Sequence, residues 1–130
     1  MSGGPISWFS QRQGLTALST TESEYIAACE TVKGAVWLNR LLSDIQHRCV
    51  TKTEFFIDNQ SAIKLIKNPE FHKRTKHINV KYHFIREKYC NGEILPLYVN
   101  TQLADLFTKS LPRVTLERLR SNLNLLPIQL

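Results

Sequence analysis

The stretch from Thr53 to Ile66, TEFFIDNQSAIKLI, constrains the fold of this chain more than any other. Phe55, Phe56 and Ile57 form a short apolar run of strand formers that Thr53 begins. Asp58, Asn59 and Gln60 follow at once, and then Ala62, Ile63 and Ile66 recur at helical spacing with Leu65 beside them. The pattern predicts a short buried strand running straight into a helix. An acid at the carboxyl end of a buried strand, where a helix starts, stands where open α/β sheets place their chemistry. Asp58 and Asn59 are also both suited to a plainer task, because either type accepts the orphan N–H groups of a helix start.

With 130 residues the chain fits one domain, residues 1–130, that can bury a real core. Residues 1–5 read as a flexible lead and residues 127–130 as a tail. Apolar residues at 42% and charged residues at 22% are ordinary for a soluble globular protein. No apolar run reaches the length of a membrane span, and no signal peptide is visible. Cys29, Cys49 and Cys90 are odd in number, far apart and without a CxxC pair. They read as free thiols of a reducing, cytoplasmic compartment.

The net charge of +6 is local. Between Lys64 and Lys88 lie Lys64, Lys67, Lys73, Arg74, Lys76, Lys81, Arg86 and Lys88, opposed only by Glu70 and Glu87. The remainder holds nine basic and nine acidic residues and is neutral. One basic patch of this kind suits a polyanion such as nucleic acid, and it equally suits a solvated surface.

Ile6 to Phe9 alternates and predicts a strand at a sheet edge. Ser19 and Glu22 have the spacing of a capping box, with two orphan N–H groups satisfied reciprocally. Tyr25, Ala28, Cys29, Val32, Val36 and Leu42 then recur three or four apart, and Trp37, Leu38, Leu41 and Ile45 widen the apolar face. This predicts a helix over 20–45. Glu24 sits one turn in, where the helix dipole favours an acid without any further role. The helix from Asn59 should stop near Asn68-Pro69. Another helix is expected over 79–90, closed by Asn91-Gly92. Glu93 to Val99 reads as a strand at an edge or with a bulge, because Pro96 lacks an N–H. Asn100 or Thr101 is placed to cap a short helix through Leu103, Ala104, Leu106 and Phe107. Pro112 starts a last helix carrying Leu116, Leu119, Leu123 and Leu126.

Three blocks in this order, SWFSQRQGLTALSTTESEY, FIDNQSAIKLIKNPEFHKRTKHINVKYHFIREKY and QLADLFTKSLP, resemble the ribonuclease H domain of copia-type retrotransposon Pol polyproteins. The resemblance runs from about Gly3 to about Leu126. It implies an α/β, ribonuclease H-like fold with helices packed on the faces of a mixed sheet. It also implies hydrolysis of the RNA strand of an RNA–DNA hybrid by two divalent cations, Mg²⁺ or Mn²⁺. Such ions take hard oxygen ligands, so carboxylates must converge from different elements. By the resemblance, Glu24 in TTESEY, Asp58 in FIDNQ and Asp105 in QLAD belong to the catalytic and metal-binding set. The run with Lys73, Arg74, Lys76, His77 and Lys81 would lie near the phosphate backbone, which holds a hybrid without reading its sequence. The implied partners are the hybrid and the reverse transcriptase region of a polyprotein, in the cytoplasm or a virus-like particle.

The sequence departs from that pattern twice. Two strands and the first aspartate, which the family carries before the Ile6 segment, are not among these residues, so the sheet is expected to be incomplete and catalysis impaired. YVNTQLAD is also two residues shorter than the family's usual YVPTEDQLAD, which unsettles the placement of Asp105. One consequence to expect is that the Ile6 strand slides beside the Phe55 strand, because an unpaired strand edge is a liability. Two other classes fit less well. A nucleic-acid-binding remnant without catalysis needs only the basic patch. A zinc site from His72, His77, His83 and Cys90 lacks tight ligand pairs, and His83 and Phe84 suit a packed helix better.

Overall fold

In a computed structural model, the structure describes residues 3–14, 16–47, 52–68 and 79–125. The elements in chain order are α1 (Thr20–Gln46), β1 (Thr53–Ile57), α2 (Gln60–Lys67), α3 (Asn79–Cys90), β2 (Ile94–Tyr98), α4 (Asp105–Thr108) and α5 (Arg113–Asn122). They fall into two compact units, one of residues 13–100 and one formed by residues 1–12 with 101–130.

In the larger unit, β1 and β2 pair in parallel, with Thr53 opposite Ile94 and Ile57 opposite Tyr98. Parallel strands need a crossover, and α2 and α3 lie between them in the chain. The ladder is anchored at its ends by Thr53 N–H on the Glu93 carbonyl and Val99 N–H on the Ile57 carbonyl. By the alternation of a parallel ladder, odd-numbered residues of β2 bond to β1, and the missing N–H of Pro96 faces away from it. Pro96 is therefore tolerated on an edge strand without a bulge.

Phe55 and Ile57 of β1 and Ile94 of β2 turn to one side, where they form the core with Tyr25, Ile26, Ala28 and Val32 of α1, Ala62, Ile63 and Ile66 of α2, and Tyr82 and Ile85 of α3. The other side presents exposed Glu54 and Phe56. The mixed α/β character holds. Among the described residues the sheet has two strands, paired in parallel, so the mixed pairing expected of it is not among them.

Two predicted features of α1 change. Ser19 Oγ accepts the Glu22 N–H at 3.2 Å as a capping box requires. The Glu22 carboxylate, however, accepts the N–H of Leu18 rather than of Ser19, and it is buried at 3% exposure. The apolar face also stops short. The buried apolar residues of α1 end at Val32. Trp37, Leu41 and Ile45, expected to widen the core face, are 62%, 41% and 66% exposed. They follow each other at i, i+4 and i+8, so they form their own stripe on the half of α1 that lies past the core.

In the smaller unit, residues 5–12 hold no strand. The Ile6–Phe9 strand is thereby overturned, and so is its sliding beside β1, whose only strand partner among the described residues is β2. A strand without a neighbour leaves its backbone groups to water and gains no ladder. Ile6, Trp8 and Phe9 are exposed, although the Trp8 ring stacks on Phe107 at 6.0 Å between centroids. Asn124 Nδ2 donates to the Gly3 carbonyl at 2.7 Å. α4 begins at Asp105 with Ala104 before it and no side-chain cap, so neither Asn100 nor Thr101 has that role. Pro112 precedes α5, which ends at Asn122 with Leu123 as its cap; Leu126 lies outside the described residues.

Candidate active site

Asp58 follows the last residue of β1 and stands exposed at the carboxyl end of that strand. The choice between Asp58 and Asn59 as the helix cap is resolved in favour of Asn59. Its Oδ1 accepts Ser61 N–H at 2.9 Å and Ala62 N–H at 3.1 Å, from an extended backbone that starts α2. Asp58 is thus left outside the capping of α2, although it has the residue type and position for it.

Glu24 lies early in α1 and is half-buried. α1 packs against β1 and against α3. Next to Glu24, the Tyr25 ring tilts against Tyr82 with centroids 4.2 Å apart, and the Tyr25 hydroxyl donates to the Tyr82 carbonyl at 3.3 Å. Burial pushes the Tyr25 phenol well up, so it remains a donor at ordinary pH. Burial likewise raises the Cys29 thiol, which faces the Lys81 carbonyl at 3.8 Å. A buried protonated thiol is inert, not a nucleophile. Glu24 and Asp58 are therefore carried by two elements of the same packed unit.

Asp105 belongs to the other unit. It is the first residue of α4, half-buried, and Lys109 one turn on reaches its carboxylate at 2.7 Å. The helix start suits its charge. The donor chemistry of the three acids, hard carboxylate oxygen, fits Mg²⁺ or Mn²⁺. Within either unit, however, no three His, Cys, Asp or Glu side chains of the described residues gather as a metal-holding group.

Of the basic residues singled out for phosphate contact, Lys73, Arg74, Lys76 and His77 lie outside the described residues. Lys81 is half-buried and bonded to Glu30 at 2.7 Å, so its ammonium is engaged within the protein. Lys88 is held in the same way by Glu93 at 2.9 Å. Of the described basic residues between Lys64 and Lys88, the two that are fully exposed are Lys64 and Lys67 of α2. Their i, i+3 spacing, which puts both on one side of α2, is the signal that would have singled them out. Of the rejected zinc set, His83 and Cys90 are exposed on α3, so His83 is not packed as expected, while Phe84 does lie against the core. His72 and His77 lie outside the described residues.

No family model matches the chain, and no solved structure matches it. Curated relatives do. The retrovirus-related Pol polyprotein from transposon TNT 1-94 of Nicotiana tabacum is 47% identical over 116 residues, which is 86% of this chain and 8% of that polyprotein. The retrovirus-related Pol polyprotein from transposon RE1 of Arabidopsis thaliana is 37% identical over 121 residues, 92% of this chain and 8% of its own length. The transposon Ty1-DR5 Gag-Pol polyprotein of Saccharomyces cerevisiae is 30% identical over 122 residues, covering 92% of this chain and 7% of the polyprotein. The chain thus spans a tenth or less of the length of the curated relatives it matches, and its homologues are retrovirus-related Pol polyproteins of transposons.

Proposed function

We propose that this chain is the ribonuclease H segment of a copia-type retrotransposon Pol polyprotein. We further propose that these 130 residues alone bind an RNA–DNA hybrid and cleave it weakly or not at all. The observation that carries the reading is Asp58, an exposed acid at the carboxyl end of β1 whose capping role Asn59 has taken over. In this proposal Glu24, from the helix packed on β1, and Asp105 complete the acids present. The first aspartate of the implied set is not among these residues. A bound Mg²⁺ or Mn²⁺ would supply a water of lowered pKa and a charge for the leaving oxygen. With no three-donor group among the described residues of either unit, binding of that ion is proposed to be weak. Lys64 and Lys67 would track phosphates. The reverse transcriptase region of the same polyprotein would be the natural partner, in the cytoplasm or a virus-like particle; among the described residues no helix is long and apolar enough to cross a membrane.

A second reading, nucleic-acid binding without any catalysis, is favoured by the same lack of a three-donor group among the described residues. One experiment separates the two. The full chain and Asp58→Asn are given a labelled RNA–DNA hybrid with and without Mg²⁺, at two salt concentrations. Slow, metal-dependent cleavage that Asp58→Asn abolishes supports the nuclease. Salt-sensitive binding with no cleavage supports the binder. A folded chain that neither binds nor cuts the hybrid overturns both.

A further inference from the structure

The stripe of Trp37, Leu41 and Ile45 on α1 belongs to no part of the site above. All three are large, apolar and exposed, at 62%, 41% and 66%. They lie on successive turns of one helix, so they line up along roughly 12 Å of its length. Gly34, one turn before Leu38, borders the stripe, and a Cβ built on it meets nothing within 4 Å, so another chain could approach closely there. A row of this kind is more than a scattered surface residue.

The charges beside the stripe say what it fits. Arg40 and Asp44 lie along one edge of it, both exposed and one turn apart. They do not pair with each other, and neither has an ion pair with another described residue. Arg40 is near enough to Glu93 to help hold that carboxyl down, after the larger effect of Lys88. Consider a second α1 laid antiparallel with the two-fold axis at Leu41. Leu41 then meets Leu41 of the other copy, and Trp37 meets Ile45 twice. The same edge of the two helices faces itself, so Arg40 of each copy comes alongside Asp44 of the other. An isologous contact needs one patch complementary to itself in both shape and charge. This stripe has both.

We infer that two copies of this chain associate through antiparallel contact of their α1 helices, across Trp37, Leu41 and Ile45, with Arg40 and Asp44 exchanged between copies. Three side chains from each partner bury much less than a standard interface of about 1,600 Å², so the dimer is weak and concentration-dependent. The contact is independent of Asp58 and of any nuclease activity.

The test is sedimentation of the full chain from low micromolar to several hundred micromolar concentration, with circular dichroism to confirm that each variant folds. The wild type should shift from monomer to dimer across that range. Leu41→Glu should remain monomeric throughout. Arg40→Asp sets two like charges against each other and should weaken association several-fold, and adding Asp44→Arg to it should restore it. Phe56→Lys, on the exposed side of the sheet, should leave association unchanged. If Leu41→Glu fails to fold, the charge-swap pair decides alone. A wild type that is monomeric at every concentration overturns the inference. So does a dimer that persists in Leu41→Glu, or one that only Phe56→Lys abolishes.

Discussion

Glu30 on α1 and Lys81 on α3, 51 residues apart in the chain, are joined by a hydrogen-bonded ion pair of 2.7 Å. Lys33 adds a second contact to Glu30 at 3.1 Å. The bond from Lys81 is the main cause that holds the Glu30 carboxyl below its ordinary range, with Lys33 assisting and burial opposing. A carboxyl whose folded pKa is depressed stabilises the fold above its unfolded pKa, about 4.3 for glutamate. That stabilisation disappears as pH falls through the lower folded value. The pair is part-exposed, so its coupling is expected to be about 1 kcal/mol or less. Urea unfolding of the wild type, Glu30→Gln, Lys81→Met and the double variant at neutral pH should return a coupling of that size. The wild type should lose more stability than Glu30→Gln on going to acid. Equal losses would show that Glu30 is not a linked group.

Asp58 and Asn59 are neighbours with separate tasks, and substitution should separate them. Asn59→Ala removes the acceptor for two N–H groups of α2 and should cost about 1 kcal/mol of stability. Asp58→Asn changes an exposed side chain that caps nothing and should stay within about 0.5 kcal/mol of the wild type. Thermal or urea unfolding measures both. A large loss in Asp58→Asn would give that acid a structural role and weaken the proposed chemical one.

Ile85 is fully buried where α3 meets α1, α2 and the sheet. Replacing it with alanine leaves a cavity that close-packed neighbours fill only in part, at about 2–4 kcal/mol. For a chain of this size that is a large share of total stability. Equilibrium unfolding of Ile85→Ala should show it. A loss under about 1 kcal/mol would mean that the core around α3 can collapse onto the gap.

How much of this was legible in the sequence follows from which forces are local. α2 ends at Lys67, with Asn68 extended as the residue before a proline must be, and α3 spans Asn79–Cys90 as its periodicity implies. Gly92 takes the positive φ of 73° that the Asn-Gly stop predicts. These features depend on residues a turn apart. The Ile6–Phe9 strand was misread because a strand needs a partner that composition cannot show. Trp37, Leu41 and Ile45 carry the right period for a core face, but the period does not tell how far along α1 the core extends. In the site, the position of Asp58 was readable from the strand-to-helix pattern, whereas the engagement of Lys81 by Glu30 was not. That contact joins two distant helices, and only packing reveals it.

Asp105 offers the last test, because its carboxylate is occupied by Lys109 at 2.7 Å. A cation that uses Asp105 must displace that ammonium or share the carboxylate with it. Removing the competing charge should therefore strengthen cation binding. An i, i+4 pair on a helix is worth only about 0.3–0.5 kcal/mol, so the gain should be about twofold. Calorimetric Mn²⁺ titration of the wild type, Lys109→Met and Asp105→Asn measures it. Tighter binding in Lys109→Met, with loss in Asp105→Asn, makes Asp105 a cation ligand. Unchanged binding in both variants removes Asp105 from the set and leaves it as a helix-start acid held by Lys109. Binding that survives those two changes but falls in Asp58→Asn would place the ion on the larger unit alone.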